Sequence, residues 1–125
     1  VKEFKPKIVY TTPEKDVNVD HKKVFEATLV ATRPKINLKV EQVISYEIPS
    51  STEWFFPEQF NPNMFENIEK QFSSKIRAIK SYKNELMEFP HPRSIDALDA
   101  IAKRWGSVSG FKYAEAFRVV RILKN

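Results

Sequence analysis

The sequence predicts a mixed α/β domain, and three observations carry that prediction. Short β-branched runs are closed by prolines, two longer stretches space their apolar residues helically, and a β-branched run comes near the C-terminus. Residues 7–12, with Ile8, Val9 and Tyr10, are expected to form a short buried strand stopped by Pro13. A helix is expected over 21–32, with Val24, Phe25, Leu29 and Ala31 as its apolar side and Asp20 capping its first turn. Arg33-Pro34 ends it, because proline pushes the preceding residue out of helical geometry. A second strand is expected over 37–48, burying Leu38, Val40, Val43 and Ile44. Its alternation breaks at Glu41-Gln42, which predicts a bulge there, and Pro49 closes it.

Residues 50–63 form a long loop with Trp54, Phe55, Phe56 and Phe60; such length without periodicity suggests a functional or interface loop. The spacing of Ile68, Phe72, Ile76, Ile79 and Leu86 predicts the longest helix, over 68–87. Pro90-His91-Pro92 breaks the chain. Ser94 then caps a helix that aligns Ile95, Leu98, Ile101, Ala102 and Trp105, with Gly106 at its C-terminal end. Residues 113–123 are expected to be a closing strand. The order is strand-helix-strand and then helix-rich.

Composition narrows the chemistry. The 125 residues suit one domain or a large piece of one. There is no cysteine, so disulfides and thiolate metal sites are excluded, and any metal must use His, Asp or Glu. The histidines are His21 and His91. The net charge of +5 raises the question of nucleic acid, but its distribution answers against it. Glu69, Glu85 and Glu88 flank Lys75, Arg77, Lys80 and Lys83, while Asp20 and Glu26 flank Lys22 and Lys23, as on solvated helix faces. No apolar run has the length of a membrane span and no signal peptide is seen, so a cytoplasmic setting is expected.

The string Asp16-Val17-Asn18-Val19-Asp20-His21 lies between a predicted strand and a predicted helix, where polar side chains often line a site at the carboxyl edge of a sheet. A calcium loop is excluded, because its sixth position would be His21 and not glycine, and its twelfth Ala27 and not glutamate. Two readings remain. His21 is a metal ligand whose tautomer an adjacent carboxylate fixes, or Asp16, Asn18 and Asp20 only satisfy turn and cap hydrogen bonds beside a surface histidine. Tyr46, Glu47, Ser51, Thr52, Glu53 and Trp54, where the second strand leaves the sheet, suit a sugar site with an aromatic platform and hydroxyl and carboxylate partners; Tyr46, Glu47, Thr52 and Trp54 are the residues assigned to substrate. The alternative is that the loop aromatics fill a core or a subunit interface, with self-association as its consequence.

Residues Ile8-Val9-Tyr10-Thr11-Thr12, Asp16 to His21 and Ala31-Thr32-Arg33-Pro34 together resemble the LmbE-like, PIG-L type N-acetylglucosaminyl deacetylase family. His91-Pro92-Arg93-Ser94, Arg104-Trp105-Gly106 and Tyr113-Ala114-Glu115-Ala116-Phe117 follow in the matching order, so the resemblance covers about residues 7–123. It implies the C-terminal part of a Rossmann-like three-layer deacetylase domain that binds one zinc ion, with His21 in the place of the last histidine of a His-x-Asp-His motif, a metal ligand. The implied partners are an N-acetylated sugar or glycoconjugate and an N-terminal half of the domain, whose His-Pro-Asp-Asp-Glu motif does not occur in this sequence. Asn18 replaces the motif's earlier histidine; it can donate to a developing oxyanion but cannot shuttle a proton. Asn18, Asp20 and His91 are the residues assigned to chemistry, His91 either supplying the proton or ordering the turn between helices. Arg93 and Glu115 are expected to form an ion pair tying a helix start to the final strand. The alternative to catalysis is a binding or assembly module that keeps the fold.

Overall fold

The structure, a computed structural model, describes residues 1, 3–36 and 39–124. The chain is a mixed α/β protein. Its elements run β1 (Ile8–Thr11), α1 (Val19–Ala31), β2 (Gln42–Tyr46), a single 3-10 turn (Thr52–Trp54), β3 (Met64–Asn67), α2 (Phe72–Ser81), α3 (Ile95–Ser109) and β4 (Ala114–Ile122). The four strands form one sheet in the order β1-β2-β4-β3. Two compact units share the chain: Val1–Met64 with the chain end from Phe117, and Phe65–Ala116.

In the first unit, β1 and β2 are parallel, with Ile8 opposite Gln42 and Thr11 opposite Ser45. Parallel pairing puts the carboxyl ends of both strands at one edge of the sheet, and that placement builds the site below. β2 runs antiparallel to β4, from Gln42 opposite Ile122 to Tyr46 opposite Phe117. A register shift falls between Val43 and Ile44, two residues after the expected bulge. Val40, Val43, Ile44 and Phe25 are the buried apolar side chains of this unit. Leu38 and Asn37, assigned to the second strand, lie outside the described residues.

Two expectations change here. β1 is not buried: it is an edge strand in this sheet, with Ile8 and Tyr10 exposed and Thr11 buried. On α1 the apolar side shrinks to Phe25, since Val24 and Leu29 are exposed. Hydroxyls act where an apolar stripe was expected. Thr11 donates to Thr28 Oγ1 (3.0 Å), and Thr12 donates to the carbonyl of His21 (2.7 Å), so β1 and the loop after it grip α1 through polar contacts.

The second unit is a scaffold of apolar packing. The helix expected over 68–87 is shorter at both ends, running Phe72–Ser81 with a turn over residues 68–71 and Leu86 beyond its last turn, so α3 and not α2 is the longest helix. Phe65 to Asn67 belong to β3, and the Asn67 side chain accepts from Glu69 N–H (2.9 Å) to turn the backbone before α2 begins. Phe72 stacks on Tyr113 with ring centroids 4.1 Å apart, and Phe65 lies 6.1 Å from Trp105. α3 starts at Ser94, whose hydroxyl accepts from Ala97 N–H (3.1 Å), as the sequence predicts. It does not end at Gly106. The helix continues to Ser109, and Gly110 at φ 79° is the left-handed cap. Gly106 has another reason to be glycine: a Cβ there would stand 2.6 Å from the Phe111 carbonyl oxygen and 2.8 Å from that of Lys112.

Arg93 and Glu115 do not become a pair. Arg93 is bound to Glu85, and Glu115 to Lys75 on α2, all within this unit. Both pairs are partly exposed, so neither is the buried bridge expected from the sequence.

Candidate functional site

The site grows from the two segments that leave the parallel strands at their carboxyl ends. After β1, the loop carries Asp16 and Asn18 into the first turn of α1. Asn18 is the N-cap, its side-chain oxygen accepting from Asp20 N–H (2.9 Å). This corrects the assignment of the cap to Asp20, which is an exposed residue of the first turn. After β2, residues 48–54 wind into the 3-10 turn that presents Ser51, Thr52 and Glu53.

Asp16 is where the two segments meet. Its side chain is 0% exposed. Asn18 N–H donates to Oδ1 (2.8 Å), the Ser51 hydroxyl donates to the same oxygen, and the Thr52 hydroxyl donates to Oδ2 (3.2 Å). Burial by itself would raise the pKa of this carboxyl. The hydrogen bonds from Ser51, Asn18 and His21, with the attraction of His21, outweigh that and hold it below its usual range. A buried, ionised carboxylate with its acceptor sites filled is the result.

His21, 22% exposed, stands on the first turn of α1 against this network. Its Nδ1 lies 3.2 Å from Asp16 Oδ2 and 3.1 Å from Ser51 Oγ. The carboxylate has no proton to give, and the Ser51 hydroxyl hydrogen is committed to Asp16. Both neighbours are therefore acceptors, and Nδ1 carries the ring proton. Nε2 makes no hydrogen bond among the described residues, so in the neutral ring it is the nitrogen that carries the lone pair. A neutral ring held in this way could bind a metal through Nε2, with a carboxylate behind it that fixes the tautomer and raises ligand basicity. The carboxylate is that of Asp16, not the adjacent Asp20.

The remaining assigned residues divide. Thr52 is 2% exposed, and its hydroxyl is occupied by Asp16 and by Ile48 N–H (2.7 Å). It supports the site from behind and does not present a surface to a sugar. Tyr46 and Trp54 are exposed, Glu47 half-buried. In the second unit, His91 Nδ1 accepts from Arg93 N–H (3.1 Å) within the turn before α3. Along the face of α1, one turn past His21, Phe25 lines a cleft of about 260 Å³ shared with Lys15, Ser45, Phe60 and Arg118.

As a metal centre the described residues are a partial set. His21 fits a ligand position in the donor chemistry of its ring, whereas no group of three or more His, Asp or Glu side chains with metal-binding placement occurs among them. Ser51 and Asp16 were the roles hardest to read from sequence. They are 35 residues apart, and only the parallel pairing of β1 with β2 brings them together.

Fold and site together define a mixed α/β protein with a carboxylate-backed histidine at the carboxyl edge of its parallel strands. Over 77 residues the chain is 35% identical to the "Uncharacterized deacetylase YaiS" of Escherichia coli (strain K12), a stretch that is 61% of this chain and 36% of that protein. The crystal structure of the conserved protein TT1542 from Thermus thermophilus matches with a TM-score of 0.75 at 20% identity, covering 99% of this chain and 56% of that one; the likeness is one of fold. The chain thus spans about a third of the curated relative and somewhat over half of the solved structure. No protein-family model matches the chain.

Proposed function

We propose that this chain is part of a zinc-dependent hydrolase of the LmbE-like, PIG-L type that removes an acetyl group from an N-acetylated sugar or glycoconjugate. The observation that carries the proposal is the Asp16–Ser51–His21 arrangement, which engages Nδ1 of the imidazole and leaves Nε2 for a metal. The similarity to a protein named as a deacetylase supports it independently. In this reading the chain is the C-terminal part of a Rossmann-like domain, and the other metal ligands and the general base come from a His-Pro-Asp-Asp-Glu segment on an N-terminal half.

Zinc bound there supplies Lewis-acid polarisation of the acetamide carbonyl and a water of lowered pKa. This chain's residues hold and orient. His21 provides a ligand, and Asp16 with Ser51 keeps its ring in one tautomer and one orientation. Asn18 spends its side-chain oxygen on the helix cap, which leaves its NH2 as the donor for a developing oxyanion. Trp54 and Tyr46 offer ring surface to a sugar.

Two substitutions in the full-length protein test the reading. His21→Ala should abolish zinc retention and acetate release together. Asn18→Ala should retain the metal, lower stability by about 1 kcal/mol through loss of the cap, and slow acetate release. Zinc content and acetate release that survive His21→Ala would remove the metal-ligand reading and leave a binding module built on this fold.

A further inference from the structure

The turn that delivers Ser51 to His21 is built around a third side chain, Glu53. Its two carboxylate oxygens accept successive backbone N–H groups, Oε1 from Ser50 (2.8 Å) and Oε2 from Ser51 (2.9 Å). Ser50 needs that support. It stands at φ 72°, in the left-handed region that a residue with a Cβ rarely adopts and that persists only where its surroundings over-determine it. The Ile48 carbonyl also accepts from Ser51 N–H (3.1 Å) and Thr52 N–H (3.0 Å), and Ile48 N–H donates to the Thr52 hydroxyl (2.7 Å). Every bond of this turn leads to the same place. The two hydroxyls that it fixes, those of Ser51 and Thr52, both donate to Asp16, and the Ser51 oxygen also faces His21 Nδ1.

We propose that Glu53 is a positioning residue for His21, clamping the 48–53 turn so that the Ser51 hydroxyl is held between the Asp16 carboxylate and the imidazole. The inference rests on the reading of His21 as a metal ligand. It adds that the ring's tautomer is set from the loop after β2 as well as from the loop after β1. The negative charge of Glu53 is used locally, on two backbone donors, so its oxygens are taken up by the turn and not by the sugar expected for it from the sequence. Loosening the clamp frees the Ser51 hydroxyl to rotate and donate to Nδ1, which reverses the tautomer and takes the lone pair away from Nε2.

The test reads the imidazole directly. In the ¹⁵N-labelled full-length protein without added metal, the His21 signals are those missing from His21→Ala. Wild type should show one neutral tautomer, protonated at Nδ1. Glu53→Ala should show a mixture of tautomers and about tenfold weaker Zn²⁺ binding by titration with the metal alone, within the range seen when partners behind a ligand are removed. Glu53→Gln, which keeps one acceptor oxygen, should restore most of both. Ser51→Ala removes the hydroxyl without touching the turn's backbone bonds and should weaken Zn²⁺ to a similar degree; it serves where Glu53→Ala does not fold. A wild-type His21 protonated at Nε2, or Glu53→Ala and Ser51→Ala proteins with wild-type spectrum and Zn²⁺ affinity, overturns the proposal. The deacetylase reading fails separately, by the absence of acetate release from a protein whose His21 shows the expected tautomer.

Discussion

The two units of this chain bury different chemistry. The first buries Thr11, Thr12, Asp16, Thr32, Ser45, Ser51 and Thr52 along with a few aliphatic side chains, whereas the one polar residue described as buried in the second is Ser94, a helix cap. The second unit closes on itself with Leu98, Ala102, Trp105, Ala114 and Ala116 and with stacked rings. A core of that kind is stabilised by the removal of apolar surface from water, roughly 25 cal/mol for each Å². A buried carboxylate gains nothing of the sort. It is tolerated where hydrogen bonds compensate its desolvation, and groups arranged in that way concentrate at functional sites. The contrast separates a scaffold from a device.

Three substitutions sharpen or break it. The largest effect on stability is expected at Gly106, in the scaffold. Gly106→Ala sets a methyl against two backbone carbonyls that cannot rotate away, so a loss of about 3 kcal/mol is expected, the upper part of the range for overpacking. Urea unfolding measures it. A change below about 1 kcal/mol would mean that the 111–112 backbone yields and that this packing is less rigid than its geometry implies.

The second effect belongs to the device and depends on pH. Asp16 has a lowered pKa in the folded protein, while the unfolded chain titrates it near the ordinary value of about 3.9. Its ionised form therefore contributes stability above that value, and the contribution is lost as pH falls through the folded pKa. Asp16→Asn offers one acceptor oxygen to donors that now share two. It should lower stability by about 2 kcal/mol at neutral pH, with the gap to wild type closing below about pH 4. Urea midpoints at several pH values show the convergence. A gap independent of pH would detach the network from the ionisation of Asp16.

The smallest effect is expected for Glu115→Ala. Were Glu115 one half of a buried bridge, its removal would cost about 3–5 kcal/mol. Bound to Lys75 at a side chain about a third exposed, it should cost less than about 1 kcal/mol. A larger loss, seen as a fall in the thermal midpoint, would place an essential charge inside the apolar unit and erase the contrast.

How much of this was legible follows from the range of the forces involved. The Ser94 cap, the closing strand and the helix from Ile95, α3, were readable, because a cap or an apolar stripe is decided within a few residues. The string from Asp16 to His21 could be singled out as a candidate site for the same reason: its polar residues follow a strand and open a helix. Local reasoning misassigned what long-range contacts decide. Ile68 has the spacing of a helical residue, yet it follows a strand and donates to the Tyr113 carbonyl (3.1 Å). Gly106 reads as a helix end until the carbonyls of Phe111 and Lys112 come up against it.

The sequence by itself determined the mixed α/β class of the chain, the Ser94 start of α3, the absence of thiol chemistry and the histidine on which the candidate site centres. Each is a property of composition or of neighbours a turn apart. Which carboxylate serves that histidine was decided only by the tertiary structure. Asp20 is next to His21 in the chain, but helical geometry sends adjacent side chains about 100° apart. Asp16, five residues away, is folded back against the ring and locked there by Ser51 and Thr52 from across the parallel strand pair.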